Sequence, residues 1–95
     1  MLENIVYFEL IRRGYDVAVG KVDSKEVDFI ATKADDKIYV QVTETMTSED
    51  GRKRELAPLE KIRDNYEKII LSLDTGLENS YEGIKSINLI DWLIS

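Results

Sequence analysis

The residues whose types and spacing could do chemistry lie on two neighbouring apolar runs. Asp28 stands inside Val27-Asp28-Phe29-Ile30-Ala31, and Gln41 and Thr43 alternate with valines in Val40-Gln41-Val42-Thr43. Burying an acid in such a strand is costly unless it is paired or binds a cation. If Val22 pairs with Lys25, Val19 falls opposite Asp28 and Lys21 opposite Glu26. A two-residue loop at the next turn then sets Asp28 opposite Gln41 or Thr43. Directly opposed residues share a face of a sheet. On that register Asp28, Gln41, Thr43 and Lys21 project from one side, while Val27, Phe29, Ala31, Val40 and Val42 form the apolar other side. An Asp beside a polar carbonyl is the start of a hard-cation site for Mg²⁺ or a similar ion, completed by main-chain oxygen and water. A strand acid bonded to a helix terminus or to Lys21 explains Asp28 equally, and Gln41 and Thr43 read as a polar patch of ordinary strand residues in preference to a working catalytic pair.

What the sequence lacks narrows the chemistry further. With no cysteine and no histidine, thiol catalysis, disulfides, zinc-thiolate sites and imidazole bases are excluded. Any metal would be held by oxygen.

The elements that must position these residues are legible from periodicity. Leu2, Ile5, Val6, Leu10 and Ile11 recur at helical spacing over residues 2–13, and Gly14 stands where a left-handed cap belongs. The period then falls to two over 15–22, 25–33 and 37–44, with turns at Asp23-Ser24 and Ala34-Asp35-Asp36, which predicts a meander. Residues 45–51 read as a polar loop. The segment 52–65 reads as a helix interrupted near Pro58, because proline removes a backbone donor. The apolar run 68–73 predicts a strand buried on both faces. A loop holding Gly76 and Gly83, a strand over 84–88 and a short helix over 90–94 complete the order α-β-β-β-α-β-β-α. That order predicts one α/β domain over residues 1–95, with a central mixed sheet flanked by helices.

Thirteen Lys and Arg against nineteen Asp and Glu give a net charge of −6, the wrong sign for tight sequence-independent binding of phosphates. Arg52-Lys53-Arg54 is the local exception, read either as a solvated helix face or as a phosphate contact. The aromatic residues Tyr39, Tyr66, Tyr81 and Trp92 read as packing residues. The lack of a long apolar run and of a leader-like N-terminus predicts a cytoplasmic protein with no membrane partner.

Glu3 in an opening helix, then Glu26-Val27-Asp28-Phe29, then Ile38-Tyr39-Val40-Gln41-Val42-Thr43 and a following helix resembles the PD-(D/E)XK, or restriction-endonuclease-like, nuclease superfamily. More closely, the chain is similar to the C-terminal domain of a family of prokaryotic AAA-type ATPases. Leu2-Glu3-Asn4, Arg13-Gly14-Tyr15, Gly20-Lys21-Val22, Glu26-Val27-Asp28-Phe29, Gln41-Val42-Thr43, Arg52–Leu59 and Ile62-Arg63-Asp64-Asn65-Tyr66 carry that match. The resemblance implies a restriction-endonuclease-like fold and a nuclease-like, DNA-associated module at the C-terminal end of a larger ATPase. It also implies site roles: Asp28 matches the first metal-binding acid, Gln41 the second, Thr43 the lysine that activates water, and Glu3 an additional helix ligand for Mg²⁺. Gln41 is neutral and Thr43 carries no charge, so the implied site is degenerate, with Mg²⁺ held weakly or not at all. Lys21 is the candidate replacement for the missing lysine. An active Mg²⁺-dependent endonuclease and a non-catalytic protein-interaction module are the alternatives. No Walker-type phosphate loop occurs, so ATP chemistry would belong to the attached or partner ATPase.

Overall fold

A computed structural model describes residues 2–22, 25–75, 80–81 and 83–95; at strand positions 21, 22, 25 and 26 the backbone alone is described. The chain opens with α1 (Leu2–Arg12), whose Val6 and Leu10 are wholly buried. Gly14, at φ 93°, ends it. Its N–H donates to the Ile11 carbonyl and the Tyr15 N–H to the Leu10 carbonyl, the paired bonds of a left-handed cap that a residue with a Cβ would strain. Beyond the cap, the Arg13 guanidinium donates to the Trp92 carbonyl and stacks 4.4 Å from the Trp92 ring. One arginine thus ties the first helix to the last.

Three antiparallel strands follow: β1 (Asp16–Val22), β2 (Lys25–Lys33) and β3 (Asp36–Val42). Val22 pairs with Lys25 as the sequence predicts; the turn residues Asp23 and Ser24 lie outside the described residues. Lys33 pairs with Asp36, leaving a two-residue connection, Ala34-Asp35, in which Ala34 takes a positive φ of 52°.

The connection to α2 (Glu49–Glu60) differs from the predicted helix at both ends. Ser48 is the N-cap, and its hydroxyl accepts the Gly51 N–H at 3.0 Å. With Glu49 and Asp50 in the first turn to complement the helix dipole, the helix starts inside what reads as a polar loop. A Cβ on the buried Gly51 would come within 2.7 Å of the Ser48 hydroxyl, so the cap itself selects glycine there. At the other end Pro58 lies in the last turn, and the chain leaves the helix two residues later through an Ile62-to-Leu59 bond.

The helix carries the chain over to β4 (Glu67–Ser72), which runs parallel to β3, as a crossover of this length permits. Ile69 to Ser72 are all buried. Then come β5 (Ser80–Tyr81), β6 (Ile84–Asn88) and α3 (Leu89–Ile94). The two-residue β5 is an addition to the predicted order; two residues show no periodicity. Gly76 lies outside the described residues. The result is a small α/β domain with a mixed six-stranded sheet in the order β1-β2-β3-β4-β6-β5.

Two apolar layers cover the sheet. On one face α1 and α3 pack over Phe29, Ala31, Val40, Val42, Ile69 and Leu71. On the other, α2 and its flanking loops pack over Val27, Tyr39, Ile70 and Ile84. Val27 therefore faces away from Phe29 and Ala31, against the simple alternation expected of β2. The cause is a β-bulge: the pairing shifts from Gly20↔Val27 to Ala18↔Ile30, so Asp28 and Phe29 together oppose Val19. One extra residue on one strand reverses the parity of everything beyond it.

Candidate functional site

The bulge places Asp28 where β2 and β3 part company. The β2–β3 ladder runs from Lys33↔Asp36 to Phe29↔Val40 and goes no further. Beyond it, side chains take over from backbone. The Asp28 N–H donates to the Gln41 amide Oε1 at 3.0 Å, and the Val42 N–H donates to the Asp28 Oδ2 at 2.9 Å. Two backbone donors that a continued ladder would satisfy are each satisfied by the other strand's polar side chain. Both N–H groups are satisfied there, and each side chain spends one oxygen on holding the strands.

Asp28 is half-buried, and its carboxyl is pushed above the ordinary aspartate value. Desolvation is the chief cause, opposed by the Val42 N–H and reinforced by the negative charge of Glu3. Glu3 and Asn4 of α1 line a cleft of about 570 Å³ together with Val19, Gly20, Val27, Asp28 and Phe29. The structure thus brings Glu3 and Asp28 to one place from two elements distant in sequence. Gln41 reaches Asp28 through the Asp28 backbone. Since Val40 and Val42 lie in the α1/α3 layer, strand alternation turns Gln41 toward the α2 face.

Thr43 stands beyond the end of β3. Its N–H donates to the Leu71 carbonyl and its hydroxyl to the Thr45 carbonyl at 3.3 Å, so it closes the β3–β4 edge. The expectation of Asp28, Gln41 and Thr43 on one polar side gives way to this arrangement, because the bulge breaks the parity on which it rested. The Lys21 backbone pairs with Glu26, and its side chain lies outside the described residues.

For a divalent metal, part of this donor set is already engaged. One Asp28 oxygen and the Gln41 carbonyl are already hydrogen-bond acceptors, and among the described residues no three acidic side chains gather around one point. A hard cation needs several oxygens free to converge.

The three basic residues of α2 do not converge either. Successive helical positions diverge by about 100°. Arg52 lies 5.2 Å from the Tyr81 ring, the Lys53 ammonium 3.3 Å from Glu49, and Arg54 is exposed.

Two polar constellations lie beyond the reach of the sequence patterns. The buried Tyr39 hydroxyl donates to the Asp64 carboxylate, whose other oxygen lies 3.0 Å from the Lys68 ammonium. Desolvation raises the Asp64 carboxyl, but the Tyr39 hydroxyl and Lys68 outweigh it and hold the group below its ordinary value. Asp74 accepts from the Thr45 hydroxyl at 2.7 Å and from the Met46 N–H, while the Asn88 amide donates to the Asp74 carbonyl at 3.0 Å. It joins the loops beyond β3, β4 and β6. Asp64 follows a helix and Asp74 follows a buried strand; a single acid after an element is the weak signal each offers.

No family model matches this chain. It is 47% identical over 93 residues to an uncharacterized protein of Haemophilus influenzae, in an alignment that takes in 98% of this chain and 22% of that protein. The chain therefore spans about a fifth of the relative's length.

Proposed function

We propose that this domain is a restriction-endonuclease-like module whose site keeps its position but not its chemistry, and that it serves as one unit of a larger, DNA-associated protein. The observation that carries this reading is the pair of cross-strand bonds at the end of the β2–β3 ladder, the Asp28 N–H donating to the Gln41 side chain and the Val42 N–H to the Asp28 carboxylate. An acid and a neutral amide stand where the resemblance implies two metal-binding carboxylates, and both hold strands together. Glu3 of the opening helix lines the same cleft as Asp28, and three antiparallel strands followed by a helical crossover to a parallel strand support the fold assignment. The match to a fifth of a longer protein supports a module within a larger polypeptide. The resemblance makes an AAA-type ATPase the attached partner. With a net charge of −6 and a basic trio that diverges around α2, tight binding to DNA is assigned to that assembly and not to this domain alone.

Calorimetric titration with Mg²⁺ and Mn²⁺, and a DNA cleavage assay with each metal, test the reading. Binding heats should match those of Asp28→Ala, and cleavage should be absent. Mn²⁺-dependent cleavage that disappears in Asp28→Ala would overturn the proposal and establish an active endonuclease.

A further inference from the structure

The outer face of α1 is built to be covered. Ile5, Phe8 and Ile11 are 43%, 68% and 45% exposed, whereas Val6 and Leu10 on the opposite flank are fully buried. Spaced by three residues, the exposed trio forms one continuous stripe. Phe8 is braced in it by the Tyr7 ring, which meets it edge-on at 5.5 Å and leans on Phe29 at 6.1 Å. A helix on the surface of a free-standing domain turns a polar flank to water; one apolar on both flanks belongs between two layers. In the same layer, α3 exposes Ile90 and Ile94 at 53% and 79%, and Arg13 links the two helices. Scattered exposed apolar residues need no explanation, but a stripe of this kind marks an interaction surface.

We infer that the outer face of α1 packs against the remainder of the longer polypeptide in which this unit is embedded. The argument for that occupant is length. In the Haemophilus influenzae relative the homologous segment accounts for 22% of the protein, so most of that polypeptide lies outside the segment and can supply a covering surface. A second copy of this chain fits less well, because face-to-face pairing brings together two bodies that each carry −6. The partner surface that fits this face is apolar, matching Ile5, Phe8 and Ile11. The inference rests on the proposed embedding in a longer protein and is independent of the Asp28 site, whether or not that site is catalytic.

Hydroxyl-radical footprinting read by mass spectrometry tests it. The chain is compared by itself and as a replacement for the homologous segment of the relative's full-length protein. Oxidation of Phe8 should fall by about tenfold in the longer polypeptide, as expected of a side chain entering a packed interface core, while the exposed Tyr66, just before β4, changes little. Phe8→Lys should leave the melting temperature of the free chain unchanged and lower that of the longer protein. Equal oxidation of Phe8 in both contexts overturns the inference. So does protection of Phe8 in the free chain accompanied by sedimentation as a dimer, which assigns the face to a second copy. If the replacement protein does not assemble, the same ratio is read on the relative's own first helix, whole protein against excised segment: a lower oxidation in the whole protein supports the inference, and equal oxidation overturns it.

Discussion

Replacing Asp28 separates its structural bond from its charge. In Asp28→Ala the Val42 N–H loses its acceptor at the end of β3, and an unsatisfied, largely desolvated donor costs about 1–3 kcal/mol. For a domain of this size that lowers the melting temperature by about 5–20 °C. Asp28→Asn keeps an oxygen for Val42 and removes the ionised group that burial penalises. Its stability at pH 7 should equal or exceed that of the parent chain. The pH dependence follows from the raised carboxyl. Between the unfolded value of 3.8 and the higher folded one, the folded chain holds more protons than the unfolded chain, so stability falls as pH rises through that window. The parent should therefore gain on Asp28→Asn as the pH drops through the folded value toward 3.8, and the gap should close. Urea unfolding at pH 7 and near pH 3.5, with and without Mg²⁺, measures each contribution. A ligand that binds only the folded state raises its stability, so a Mg²⁺-dependent rise lost in Asp28→Asn would refute the claim that these oxygens are spent on structure. An Asn variant as unstable as the Ala variant would refute the assignment of the bond itself.

Tyr39→Phe should destabilise the chain by about 1.5–3 kcal/mol in thermal unfolding, since it removes a buried donor to a charged acceptor. Because Asp64 is held below its ordinary value, its contribution is present above an unfolded value of 3.8 and lost as pH falls through the folded one; the Phe variant should have a shallower acid limb. Glu9, held at about 2 first by Arg12 and then by Arg13, contributes in the same sense, so Glu9→Gln should flatten the decline in urea midpoint between pH 4.5 and pH 2. Ala34→Gly should stabilise the β2–β3 hairpin by about 0.5–1 kcal/mol, the relief of a left-handed alanine less the added freedom of the unfolded chain. A lower melting temperature for Ala34→Gly than for the parent would show that the turn stores no strain, because only the added freedom of the unfolded chain would then remain.

Most of the architecture is legible because periodicity reports which way side chains face. Val6 and Leu10 in α1, the alternation through β3 and the run Ile69-Ile70-Leu71 each name their element and its burial. The helix ends of α2 escape such a reading because capping is chemistry of single residues. Ser48 starts the helix through one hydroxyl bond, and a serine in a polar stretch looks the same whether it caps or not. Helical spacing groups Ile5 and Ile11 with Val6 and Leu10, since spacing alone does not say which apolar residues face the sheet. Both isoleucines point outward. Their exposure is information about something beyond the domain, and a pattern built on the domain's own core has no place for it.

The site is less legible because it depends on a bulge, and a bulge is decided by three-dimensional balance more than by pattern. Val27-Asp28-Phe29 reads as strict alternation, which would turn both apolar residues to one face. The fold needs Val27 under α2 and Phe29 under α1, and only an inserted residue satisfies both. Asp28 can be that residue because its carboxylate replaces the ladder bond that the insertion breaks, and Gln41 does the same from the other strand. A carboxylate at position 41 would accept the same Asp28 N–H but add a second negative charge near the Asp28 carboxyl. A neutral amide completes the exchange without that like-charge repulsion. The neutral amide of Gln41 and the stability of the splayed strands are thus one fact: an uncharged acceptor at position 41 bonds the Asp28 backbone without adding a second charge beside the half-buried carboxyl.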